Sequence, residues 1–161
     1  MTETVLKLLG AAAVMLSAAV YERGLSARRK AATRQLEGFL TLFRALRSGI
    51  GAYTPMGDIL ARMPSETLAA CIGRDGKIRV ESLEALTEDC LFLTDGLEAL
   101  VKGAATELGR GYREGQLTLC DGYLAALEKL HGEGQKKERE LSGYVRPLLF
   151  TGAAGLVILL L

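Results

Sequence analysis

Apolar residues follow two different patterns along this chain, unbroken near both ends and periodic in between. Val5 to Tyr21 runs for seventeen residues with one charge, Lys7, and Pro147 to Leu161 runs for fifteen residues with none. Long apolar runs are typical of membrane helices, whereas apolar residues at steps of three and four indicate a helix with one buried face. The pattern therefore predicts a helical middle between two apolar ends.

The periodic middle contains three amphipathic blocks. In each block the apolar positions recur at alternating steps of three and four, so each predicts a helix that buries one face. The three stripes are, in chain order, Leu36, Phe39, Phe43, Leu46 and Ile50; then Leu83, Leu86, Cys90, Leu93, Leu97 and Leu100; then Leu117, Cys120, Leu124, Leu127 and His131. We expect an all-α fold whose core is built from these stripes.

Glycine and proline mark where the helices end. The first block stops at Gly49 and Gly51 before Tyr53-Thr54-Pro55, and two short helices are predicted at about Met56 to Met63 and Glu66 to Ile72. Ser65 is the expected N-cap of the second short helix. Glycines and charged residues predict a turn over 73–76.

The second and third blocks have weaker or later boundaries. Asp95-Gly96 either divides the second block into two helices or marks a weak point within one helix. Leu108-Gly109 is typical of a helix end with a left-handed glycine. The third block is predicted from about Tyr112 to Leu141.

The apolar amino end admits two interpretations, a cleaved signal peptide or an uncleaved anchor. Ser17 and Ala19 resemble a signal-peptidase site, but no basic residue precedes the apolar run. A basic cluster follows it and, by the positive-inside rule, favours an anchor with the rest of the chain in the cytoplasm. Its members are Arg23, Arg28, Arg29, Lys30 and Arg34.

The carboxyl end is short for a membrane span, since fifteen helical residues cover only about 22 Å. Lys136, Lys137, Arg139 and Arg146 precede it and again favour a cytoplasmic middle. The sequence thus predicts a transmembrane helix at 1–21, a cytoplasmic helical domain at 22–146 and a transmembrane helix at 147–161. The expected location is the cell membrane.

The residues that carry chemistry are few. The net charge is +1, there is no tryptophan, the single histidine is His131, and three isolated cysteines form no CxxC pair. We find no motif for phosphate binding, no metal-ligand spacing and no nucleophile with a base. The expectation is a protein that is not an enzyme and takes no metal, cofactor, nucleic acid or small-molecule substrate. The alternative is a small membrane-tethered regulator or enzyme that uses Cys90 or His131.

Five short segments, in this order, resemble the stage III sporulation protein AB family of endospore-forming bacteria. They are Leu6-Lys7-Leu8-Leu9-Gly10, Arg34-Gln35-Leu36, Tyr53-Thr54-Pro55-Met56, Leu108-Gly109-Arg110 followed by Gln116, and the terminal run 152–160. The resemblance covers nearly the whole chain. It departs from the family at Ser48 and Gly49, where family members often have an acidic residue, and in the composition between the Thr-Pro and Leu-Gly pairs.

The resemblance implies a fold and a role. In that family the middle is similar to the cytoplasmic domain of type II secretion F proteins, an antiparallel bundle of about six helices. The implied role is a scaffold in the mother-cell membrane for a secretion-like channel between mother cell and forespore, with a cytoplasmic sporulation ATPase and other membrane components as partners. The candidate partner-binding residues are Tyr53, Thr54, Pro55, Leu108, Gly109, Arg110 and Gln116.

Overall fold

The protein is all-α. The computed structural model describes the backbone of residues 2–73 and 80–160, and the side chains of residue 10, residues 12–73 and 80–140, and part of those beyond 140. This part of the chain contains no β-strand. Its six helices are α1 (Thr2–Gly51), α2 (Met56–Arg62), α3 (Ser65–Ile72), α4 (Leu83–Glu88), α5 (Leu97–Glu107) and α6 (Arg113–Leu160). The predicted all-α class and the number of about six helices are confirmed, whereas the separate flanking helices are not, because the apolar ends are parts of α1 and α6.

The chain divides into two compact units. The central unit is Ala31–Gly134, and the terminal unit combines Met1–Lys30 with Gln135–Leu161. The long helices α1 and α6 contribute residues to both units, because each runs past one of these boundaries.

The core of the central unit comes mainly from the first amphipathic stripe. Phe39, Phe43 and Leu46 are completely buried, and Leu36 and Ile50 are nearly so. The third stripe contributes Cys120 and Leu127, while α2, α3 and α5 add Leu60, Ile72 and Val101. The prediction that the stripes supply the core is confirmed for most of their members.

The second stripe is where the predicted helix is interrupted. Leu83, Leu86 and Leu97 are buried, but Cys90, Leu93 and Leu100 are only half-buried. The helix stops after Glu88, and residues 89–96 form a connection before α5 begins. The break near Asp95-Gly96 therefore occurs, and it is wider than that dipeptide.

Gln35 on α1 forms hydrogen bonds with the connection over 89–96 that interrupts the second stripe. Its amide nitrogen donates to the carbonyl oxygens of Cys71 and Leu91, both at 2.8 Å, and its amide oxygen accepts from the backbone nitrogen of Leu93 at 2.9 Å. Its side chain is completely buried. Its amide nitrogen also donates to the sulfur of Cys90 at 3.5 Å. A buried amide must be hydrogen-bonded, and here the unwound connection supplies three of the four partners. Local periodicity cannot reveal this, because Gln35 lies more than fifty residues away in sequence.

Two helix starts differ from or extend the sequence expectation. Ser65 is the first residue of α3 and makes no capping hydrogen bond; the N-cap is Pro64. Ser82 caps α4 through a hydrogen bond from the backbone nitrogen of Ala85, at 3.1 Å. Gly73 ends α3 in a left-handed conformation with φ 76°, and the rest of the turn predicted over 73–76 lies outside the described residues.

The terminal unit has no buried side chain among those that the structure describes. Leu16 and Val20 are each 65% exposed, and Tyr21 and Leu148 are similarly open. In the described part of the chain, no helix has a stretch both long and apolar enough to cross a membrane. The membrane helices predicted at 1–21 and 147–161 thus gain no support there, and both segments include residues outside the described part.

Candidate functional site

Two connections meet at one end of the central unit. The first, residues 52–55, links α1 to α2; the second, residues 108–112, links α5 to α6. These segments contain six of the seven residues predicted to bind a partner, and Gln116 follows in the first turns of α6.

The first connection is a tight reversal of the chain. The backbone nitrogens of Ala52 and Thr54 both donate to the carbonyl oxygen of Gly49, at 3.0 and 2.9 Å. Tyr53 has φ 58°, a left-handed conformation that is unfavourable for a bulky side chain. Pro55 then precedes α2 with its φ fixed near the value that a helix needs. The result is that the Tyr53 ring is held outward, with the side chain 79% exposed.

The second connection depends on glycine. Leu108 closes α5, is buried, and donates its backbone hydrogen bond to the carbonyl oxygen of Ala104 at 2.8 Å. Gly109 and Gly111 follow with φ 89° and 137°, conformations that favour glycine. The predicted left-handed glycine after Leu108 is confirmed.

Arg113 joins the two connections. Its guanidinium donates to the carbonyl oxygen of Gly51 at 2.7 Å and to the hydroxyl of Tyr53 at 3.4 Å. The guanidinium carbon also lies 4.5 Å from the centre of the Tyr53 ring, a cation–π geometry. On the other side, a Cβ at Gly109 would lie 3.9 Å from the terminal methyl of Met56. The residues predicted from separate parts of the sequence therefore lie together.

The predicted residues fall into an exposed group and an internal group. Tyr53, Pro55, Gly109 and Arg110 are exposed. Thr54 is half-buried, Leu108 belongs to the core, and the half-buried Gln116 donates from its amide to the carbonyl oxygen of Gly111 at 2.9 Å. The exposed group is the more accessible to a partner, while the internal group shapes the connections.

Sequence reasoning missed two residues of this region. Tyr112 is 93% exposed, and Arg113 is the residue that holds Tyr53. The sequence signal that could have found them is a tyrosine next to an arginine, Tyr112-Arg113, shortly after the predicted helix end at Leu108-Gly109. We define the helix-end surface as Tyr53, Pro55, Gly109, Arg110, Tyr112 and Arg113.

The helix-end surface carries uncompensated positive charge. Among the described residues, neither Arg110 nor Arg113 has a carboxylate within ion-pair distance, whereas Arg44 pairs with Glu128 and Arg47 with Asp121 between α1 and α6. The hydrogen bond from Arg47 lowers the pKa of Asp121. Two exposed tyrosines beside two arginines form a composition that is enriched at the energetic centres of protein interfaces.

The cysteines and the histidine lie elsewhere in the central unit. Burial raises the pKa of Cys90 to about 12 and that of Cys120 to about 11, and it raises the pKa of Cys71 as well. All three thiols are therefore protonated near neutral pH, the form that is a poor nucleophile. His131 Nε2 lies 3.7 Å from Glu37 Oε1 and makes no hydrogen bond with the described residues.

The described residues also contain no cluster of three or more histidine, cysteine, aspartate or glutamate side chains arranged to hold a metal ion. The helix-end surface is thus the group of candidate residues that the geometry brings together.

In comparisons with known proteins, no family model, no curated protein and no solved structure matches the chain.

Proposed function

We propose that the chain is a membrane-anchored, non-enzymatic scaffold of a sporulation channel between mother cell and forespore, and that it docks a cytoplasmic secretion ATPase. The proposal combines the resemblance to the stage III sporulation protein AB family with the geometry of the helix-end surface. In this proposal the apolar ends anchor the chain in the mother-cell membrane, and the central unit lies in the cytoplasm.

The exposed apolar residues of the terminal unit support the anchoring. Met15, Leu16 and Val20 fall in the apolar run that begins at Val5, and each is more than two fifths exposed. Large aliphatic side chains in a row are seldom left in water over such a length, and lipid would remove them from it. The basic residues that follow favour a cytoplasmic location for the central unit.

The observation that carries the docking role is the outward presentation of Tyr53. Its left-handed backbone is strained, and the Arg113 guanidinium holds the ring in place. Strained, exposed residues that are held by specific contacts concentrate at functional sites. An exposed aromatic ring held in a strained conformation is the kind of residue that a docked partner would contact.

A pull-down with the purified full-length protein in detergent tests the docking role. We expect Arg110→Glu to weaken capture of the cognate ATPase about tenfold or more, because it reverses one of the two positive charges of the surface. Lys129→Glu is the matched control, since Lys129 is exposed on α6 in the same unit. Equal capture by wild type and Arg110→Glu would remove this surface from the interface.

A second variant separates docking from stability. Tyr53→Gly removes the ring and places at φ 58° the residue that best tolerates this conformation. We therefore expect the thermal stability to change little while ATPase capture falls. A normal capture by Tyr53→Gly would show that the strained tyrosine has another purpose.

A further inference from the structure

One face of α1 within the terminal unit changes from apolar to basic along its length. Leu16, Val20, Arg23, Ala27 and Lys30 are spaced by four, three, four and three residues, which places them on one stripe of the helix. All five are exposed. The stripe therefore presents aliphatic side chains in its first half and two cations in its second half.

A cavity of about 310 Å³ lies on the basic half of this stripe. Arg23 and Lys30 are two helical turns apart, about 10 Å along the axis, and the small residues Ser26 and Ala27 lie between them. Glu22 completes the described lining. Two long side chains on either side of two short ones leave room for a group the size of a phosphate or larger.

The two cations of the cavity are available for an anion. Neither Arg23 nor Lys30 makes a hydrogen bond or ion pair with the described residues, whereas Glu22, the acidic residue of the lining, already has a partner within the protein. Ser26 adds a hydroxyl that can donate to a phosphate oxygen.

The surrounding charge agrees with an anionic ligand. The terminal unit contains nine lysines and arginines against four aspartates and glutamates, a net charge of +5, while the central unit has eleven against fifteen, a net charge of −4. The near-neutral whole chain thus conceals a basic terminal unit. Basic clusters next to an apolar helix attract anionic lipid head groups.

We propose that the cavity binds the phosphate of an anionic membrane phospholipid. Arg23 and Lys30 contact the head group, Ser26 donates a hydrogen bond, and an acyl chain lies along Val20 and Leu16. The apolar half of the stripe favours a phospholipid over a free phosphate, because a free phosphate has no acyl chain to contact it. The inference rests on the proposed membrane anchoring and adds to it a site with a defined ligand class.

The absence of tryptophan from the sequence allows a direct test. Val20→Trp introduces a single tryptophan on the stripe itself, where its apolar half meets its basic half, and keeps this position apolar. The full-length variant is reconstituted in phosphatidylcholine vesicles that contain a minority of phosphatidylglycerol, with bromine on the acyl chains of one lipid or the other. We expect brominated phosphatidylglycerol to quench the fluorescence well beyond its share of the lipid.

Matched charge variants locate the effect. In the Val20→Trp background, Arg23→Gln with Lys30→Gln is expected to reduce the preference for phosphatidylglycerol about fivefold or more. Lys136→Gln with Lys137→Gln removes the same charge from the same unit and is expected to leave most of the preference. An equal loss in both pairs would overturn the site in favour of diffuse attraction, as would the absence of any preference.

Two further outcomes separate this inference from its foundation. If neither brominated lipid quenches the tryptophan, the proposed anchoring of this segment is wrong, and the lipid site falls with it. If quenching by both lipids is strong but equal, the anchoring stands and only the site is overturned. Inorganic phosphate in large excess is expected to leave the preference intact; its removal by phosphate would instead assign the cavity to a soluble anion.

Discussion

The central and terminal units place similar apolar side chains in opposite environments. On the same helix, α1, Leu46 is completely buried in the central unit and Leu16 is 65% exposed in the terminal unit. The central unit removes its apolar residues from water by packing α1 against the shorter helices and α6. In the terminal unit, none of the aliphatic side chains that the structure describes is buried.

The two units also differ in net charge. The open unit is basic and the packed unit is acidic, at +5 and −4. A folded core needs no particular net charge, whereas an anionic membrane surface attracts a basic protein segment. Apolar content alone therefore does not define a core in this chain, and variants in each unit should respond differently.

The largest difference is expected between two leucines of α1. Leu46→Ala removes a completely buried side chain and should lower the free energy of unfolding by about 2 to 5 kcal/mol. Leu16→Ala removes an exposed one and should change it by less than about 0.5 kcal/mol in detergent. Urea denaturation of the full-length variants measures both. A comparable loss for Leu16→Ala would mean that the terminal unit has a core of its own.

A smaller loss is expected from the polar contact that organises the central unit. Gln35→Leu leaves the carbonyl of Leu91 and the amide of Leu93 without the partner they now have, which should cost about 2 to 4 kcal/mol. Gln116→Leu loses one hydrogen bond from a half-buried side chain and should cost about 1 kcal/mol or less. Thermal unfolding compares the two. Equal losses would show that the connection over 89–96 does not depend on Gln35.

The smallest effect concerns two glycines of α1, and its sign differs between the units. A Cβ at Gly38 would lie 3.1 Å from the Cβ of Ala70 and from the backbone nitrogen of Cys71, so Gly38→Ala should push α1 from α3 and lower stability by about 1 to 3 kcal/mol. Gly24 has nothing within 4 Å, so Gly24→Ala should raise it by up to about 1 kcal/mol. Calorimetry of both variants checks the signs. Destabilisation by Gly24→Ala would reveal a close neighbour in the terminal unit.

Much of the fold could be predicted from the sequence, because it depends on local periodicity. Phe39, Phe43 and Leu46 recur at helical spacing and are buried, and Gly109 ends a helix as its position after Leu108 predicted. The interruption after Glu88 could be foreseen only in part. It is stabilised by Gln35, a buried residue distant in sequence, and hydrogen bonds of that kind leave no periodic trace.

The sequence indicated most residues of the candidate site, but it did not indicate the contacts that hold them together. Tyr53 and Arg110 come from segments that end helices, and such segments are recognisable. Arg113 joins the two connections through Gly51 and Tyr53. This contact depends on how α1 and α6 pack within the central unit. Tertiary contacts of this kind follow from the folded structure alone, since the two residues are sixty positions apart.

The most direct test of the account is alkaline extraction of membranes from cells that express the full-length protein. High pH strips proteins held by charge, whereas apolar helices in the bilayer stay with the lipid. If the terminal unit is an anchor, the protein stays in the membrane pellet, and Leu46→Ala, which weakens only the central core, stays there too. Release of the wild-type protein into the supernatant would contradict the membrane scaffold that we propose.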